Sequence, residues 1–227
     1  MQELNQRYRI KVTKLNELKY ISHLDWQSLI MKTFRRMGLA LVMSQGFNPS
    51  PRIAFSPALP IFIESECEFI YFETTEAIPE NFAELFKENI SENVQLLDLV
   101  QLKSEIKRPE PLDTLLSWAK YEATINKEQS HVPKIEDLRY NIEKCLSQDD
   151  LFITKINKKG IKKQENYRKS LHSMELKNET IEFISKTGQD VEIPALRADD
   201  LLKAVFGEDV VFNVKRVKFF DKNFSEM

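Results

Sequence analysis

Apolar and polar residues alternate through "YRIKVTKL" (8–15), with Tyr8, Ile10 and Val12 on one side and Arg9, Lys11 and Thr13 on the other; this predicts a half-buried strand. The period then changes. In "SHLDWQSLIMKTFRRMG" (22–38), Trp26, Leu29, Ile30, Thr33 and Met37 recur along one helical face. Ser22 suits the N-cap with Asp25 three residues on, Arg35 and Arg36 fall in the last turn, and Gly38 is placed to end the helix. "LALVMS" (39–44) and "CEFIYFETT" (67–75) are predicted strands, "PENFAELFKENI" (79–90) a helix and "VQLLDLVQL" (94–102) a strand. The order is β-α-β-β-α-β.

The order recurs after "KSEIKRPEPLD" (103–113), a charged, proline-containing stretch that is predicted to link two halves. "KYEATI" (120–125), "DLFITKI" (150–156), "ETIEFIS" (179–185) and "VVFNVKRVKFF" (210–220) are predicted strands, and "KIEDLRYNIEKCL" (134–146) and "ADDLLKAVFG" (198–207) helices. The fold expected is α+β: two tandem ferredoxin-like halves, 1–102 and 114–227, each an antiparallel sheet with two helices on one face. The second half carries a basic insertion, 155–172. In the first half Phe69 and Tyr71 alternate with Ile70 and Phe72, so both faces of that strand call for a cover.

Net charge is −2, shared evenly along the chain, so any nucleic-acid contact must come from a local patch. The insertion is one such patch, with seven Lys/Arg against Glu165 alone; Lys158, Lys159, Lys162, Lys163 and Arg168 are its candidate phosphate contacts. Cys67 and Cys145 lie far apart and outside any CxxC spacing, which fits reduced thiols in a cytoplasmic protein and cannot hold an iron–sulfur cluster. No apolar run approaches bilayer length. With His131 and His172 both in the other half, His23 has no evident metal partner, and no metal or cofactor is expected in this chain.

"SQGFNPSPRIAFSPALP" (44–60) concentrates four of the nine prolines. Proline fixes φ and holds the preceding residue extended, so "NPSPRI" is a stiff frame from which Arg52 projects. A connection this long exceeds what a plain hairpin requires. It is therefore a candidate recognition loop, with Gln45, Asn48 and Arg52 as polar contacts and Phe47 as a stacking one. The helix start at Ser22, His23 and Asp25 lies in the same half and could line the same pocket. His23 and Asp25 are also candidate acid–base groups, although two residues apart on a helix they point to different sides.

"YISHLDWQSLIMKTFRRMGLALVMSQGFNPSPRIAFSPALP" resembles the signature "SHLD…RR…L…SQGFNPHP…F…PLP" of the DUF2344 domain, a radical-SAM-linked family of uncharacterised bacterial proteins. "KKGIKKQENYRKSL" and "LRADDLL" are looser matches to that family's basic run and to its "LRPEELL" segment. Ser50 stands where the family usually has histidine, Phe62 where glycine is expected, and Asn166 and Lys169 replace Asp and Pro around Arg168. The resemblance implies association with a radical SAM enzyme and supplies no chemistry for this chain. The expected role is an accessory domain that presents or binds RNA for such an enzyme. An RNA- or nucleotide-modifying enzyme using His23 and Asp25, or a pure protein–protein adaptor, is the alternative.

Overall fold

The alternating run forms β1 (Gln6–Lys14), and its apolar side is buried. The computed structural model describes residues 5–102, 111–130, 132–156 and 160–227. These form a mixed α+β protein whose strands are mostly antiparallel and whose described residues include five helices. It divides into two compact units, Met1–Leu112 and Asp113–Met227. No described helix is long and apolar enough to cross a membrane.

The first unit continues with α1 (His23–Arg36), β2 (Ile53–Phe55), β3 (Ile63–Thr74), α2 (Phe82–Asn89) and β4 (Leu96–Gln101). Its strands lie in the order β4-β1-β3-β2, every pair antiparallel. Tyr8 pairs with Phe72 and Ile10 with Ile70 across β1 and β3. These four share a core with Trp26, Ile30 and Phe34 of α1 and with Phe82 and Phe86 of α2. The Phe34 ring lies 4.7 Å from that of Phe72, which in turn lies 6.1 Å from Phe82. Each such ring contributes roughly 1.5–3 kcal/mol by leaving water.

One expected strand is displaced. In "LALVMS" only Leu41 and Met43 make isolated bridges, to Thr74 and Pro51. The edge strand is Ile53–Phe55, inside the proline-rich stretch. Pro49 and Pro51 cannot donate to a ladder, so the chain returns to β3 only at the β-favouring Ile53, and at an edge.

The second unit is reached through a single turn, α3 (Leu112–Leu115). It then runs β5 (Trp118–Ile125), α4 (Ile135–Ser147), β6 (Phe152–Ile156), β7 (Lys162–Asn166), β8 (Leu171–Lys177), β9 (Thr180–Lys186), α5 (Ala198–Phe206) and β10 (Phe212–Phe220). The sheet order is β10-β5-β9-β8, again antiparallel, and β6 and β7 form a separate ribbon. "DLFITKI" was expected in the main sheet; instead it pairs with 162–166, inside the expected insertion. The strand beside β9 is Leu171–Lys177. A bulge between Leu171 and Ser173 puts buried Leu171 and Met174 three residues apart, a spacing that period-2 alternation does not reveal.

β8 and β9 are joined by Asn178 and Glu179, at φ 46° and 67°. That two-residue turn favours glycine at its second position. Glu179→Gly is expected to raise stability by about 1 kcal/mol. The Glu179–Lys127 ion pair it removes is exposed and contributes little. Thermal denaturation of the two proteins checks this.

Candidate nucleic-acid interface

Strand side chains alternate between faces, so the residues of β1 and β3 outside the core share the helix-free face. They are Arg7, Arg9 and Lys11, paired respectively with Glu73, Tyr71 and Phe69. Ile53 of β2 pairs with core Phe72, which turns Arg52 and Ala54 to this same face. Among the described residues of the first unit, four cations thus share this face with Glu73 and with Asp98, the β4 partner of Lys11.

Arg7 Nε donates to Glu73 Oε1 at 3.2 Å and an Arg52 terminal nitrogen donates to Glu73 Oε2 at 3.1 Å. Phe69 is buried, with the Arg9 guanidinium 5.3 Å and the Lys11 ammonium 5.4 Å from its ring centre. Among the described residues, Arg9 Nε is buried without a hydrogen-bond partner and Arg9 forms no ion pair. A buried N–H donor left unpaired is costly, so this position favours a hydrogen-bond acceptor. Half-buried Tyr71 meets no other ring among the described residues, and its hydroxyl bonds none of them. Beside it opens a cavity of about 220 Å³, walled by Arg7, Arg52, Tyr71, Glu73, Ala54 and Leu102.

The other sequence-predicted residues divide between places. Ser22 and Asp25 cap α1: the Asp25 amide donates to Ser22 Oγ at 3.2 Å, and the Ser22 hydroxyl donates to Asp25 Oδ2 at 2.6 Å. His23 Nε2 lies 2.9 Å from Gln27 Nε2, and its ring meets Phe55 edge-on at 6.2 Å. Phe55 packs against the helix-side core, so His23 and Arg52 belong to opposite faces of the sheet. The proline-rich loop is closed at its base, where the Ser44 amide donates to the Ser50 carbonyl at 2.7 Å and the Ser50 amide to Ser44 Oγ at 3.0 Å. Gln45, Phe47 and Asn48 stand exposed beyond that closure. Its base is tied to β3, because the Glu73 amide donates to the Arg52 carbonyl at 3.2 Å. Phe62 adopts φ 73°, a left-handed backbone in which glycine is unstrained.

The basic run is an ordered ribbon over its described part; Lys158 and Lys159 lie outside the described residues. Lys155 bonds Asp200 at 3.4 Å and lies 4.5 Å from the Tyr167 ring centre. Burial opposes its charge, but Tyr167 and Asp200 outweigh burial and raise its pKa. Lys163 pairs with Glu165, whose pKa is lowered by that ammonium and by the Tyr167 hydroxyl. Lys162 is exposed and has no ion-pair partner among the described residues. Arg168 donates to the carbonyls of Gln148, Leu171 and Leu146 at 3.0, 3.2 and 3.3 Å. Two of these lie at the C-terminal end of α4, where a cation also suits the helix dipole. Among the described residues no group of three or more His, Cys, Asp or Glu is placed to hold a metal.

The family described as "Uncharacterized protein conserved in bacteria (DUF2344)" matches residues 7–195. The chain belongs to the DUF2344 family. The match spans β1, β2 and β3, and so takes in every cation of the helix-free face, together with the basic ribbon. No curated protein matches the sequence. The face itself was missed at the level of sequence. Its signals were the basic alternation of Arg7, Arg9 and Lys11 on the polar side of the first strand and the apolar Phe69 and Tyr71 on the second face of β3.

Proposed function

We propose that this DUF2344 chain is an accessory protein that binds RNA through the helix-free face of its first unit and presents it to a radical SAM enzyme. Both units are read as ferredoxin-like sandwiches, since each sheet places its strands in the order fourth-first-third-second. The observation that carries the RNA reading is Arg9, on a central strand between Arg7 and Lys11 and over Phe69, whose buried Nε has no hydrogen-bond partner among the described residues. Cations at alternate strand positions suit a phosphate backbone, and an antiparallel sheet bearing aromatic side chains is a common RNA platform. The radical SAM partner rests on the sequence resemblance. The cytoplasm, where reduced Cys67 and Cys145 are at home, is the compartment proposed.

Fluorescence anisotropy with an unstructured RNA tests the reading. With three phosphates neutralised, log affinity should fall against log salt with a slope of about −2 between about 50 and 200 mM. Arg9→Glu is expected to weaken binding about tenfold or more, while charge reversal at Lys162 acts less. Binding that ignores salt and Arg9→Glu would remove RNA from the proposal. Co-purification of a radical SAM enzyme after ribonuclease treatment, without RNA affinity, would leave an adaptor.

A further inference from the structure

Building on the RNA reading, we infer that the cavity beside Tyr71 holds one unpaired guanine base of a single-stranded RNA. Its volume, about 220 Å³, is below the ~300–1,000 Å³ of pockets for drug-sized ligands, so it takes a ring system and leaves the sugar and phosphate outside. Tyr71 supplies the stacking surface, with no other ring competing for it among the described residues. Ala54 and Leu102 supply apolar walls.

The polar wall decides which base. Glu73 gives one oxygen to Arg7 and the other to Arg52, using about two of a carboxylate's four lone-pair sites. The two ion pairs hold the carboxylate in place and leave it able to accept two parallel N–H groups. Among the four bases only guanine presents two adjacent donors, N1–H and N2–H, on its Watson–Crick edge. Its O6 and N7 are acceptors suited to arginine, and Arg52 donates to Glu73 through a single nitrogen, leaving the rest of its fork available. Adenine, cytosine and uracil each offer Glu73 one donor at most on that edge. Duplex RNA hides the same edge in base pairing and offers no face for Tyr71. Phosphates flanking the guanosine would then meet Arg9 and Lys11, the cations next along β1.

The test compares short oligouridylates that carry one central guanosine, adenosine or cytidine, with free GMP as competitor. The guanosine oligomer is expected to bind about tenfold or more tightly than the others. Glu73→Gln should narrow that ratio to within about twofold, and Tyr71→Leu should lower affinity for the guanosine oligomer most. Circular dichroism checks that each variant is folded, and Glu73→Asp, which restores the carboxylate, should recover part of the preference. Equal affinity for all oligomers overturns the guanine pocket and leaves RNA binding standing. Free GMP binding as tightly as the oligomer overturns the single-stranded RNA source. Loss of all salt-dependent RNA binding would instead strike the reading on which the pocket rests.

Discussion

Gly188→Ala is expected to destabilise the second unit by about 3 kcal/mol. A Cβ built on Gly188 would lie 2.3 Å from the Asp113 carbonyl oxygen and 2.5 Å from that of Leu116. Both obstacles are main chain, so no side chain can swing away. The neighbourhood is also pinned: the Gln189 amide donates to the Asp113 carbonyl at 2.8 Å, and the Thr187 amide to that of Ser117 at 3.1 Å. Relieving the overlap therefore means breaking hydrogen bonds at the entry to β5. Urea unfolding should show a lower midpoint with an unchanged slope. A loss below about 1 kcal/mol would show that the turn at 113–116 yields.

Asp190→Asn is expected to cost about 2 kcal/mol at neutral pH. Lys186 is 3% exposed, its Nζ is 3.0 Å from Asp190 Oδ2, and it lies 5.3 Å from the Trp118 ring centre. Removing the carboxylate strands that ammonium; solvent at Asp190 reduces the penalty below the ~3–5 kcal/mol of a fully buried pair. Asp190 Oδ1 also accepts the amides of Glu192 and Ile193 at 2.9 and 3.1 Å. The Glu192 amide, then Lys186 and the Ile193 amide, lower its pKa from 3.8 to about 2. A carboxyl depressed in the folded state stabilises above its unfolded pKa, and that contribution is lost as pH falls through the folded value. The stability gap between wild type and Asp190→Asn should therefore be constant above pH about 5 and close towards pH about 2. A gap independent of pH would show that the carboxylate's charge is not what matters. Adding Lys186→Met to the variant should recover much of the loss, since the stranded ammonium is then gone.

The helices and most strands were legible because their signals are local. Ser22, Trp26, Ile30, Thr33 and Gly38 spell out α1 with its cap and its stop, and α4 and α5 follow from the same periodicity. The misplaced strands have a common cause. "LALVMS" and "DLFITKI" are extended and partly apolar, but which strand a segment pairs with depends on distant residues. Proline displaced the first pairing, and a bulge at Leu171–Ser173 hid the strand that displaced the second.

The candidate site divides in the same way. Sequence alone established the alternation of β1, the capped α1, a stiff loop carrying Arg52 and membership in a bacterial family, because each is written in neighbouring residues. It grouped Arg52 with His23, both near the same loop. Only the tertiary structure showed the sheet standing between them, since the face a side chain takes is decided by register, and a one-residue slip reverses it. The gathering of Arg7, Arg52, Tyr71 and Glu73 around one cavity is likewise a product of strand pairing. Arg7 and Glu73 are 66 residues apart in the chain, and the antiparallel ladder alone brings them within 3.2 Å.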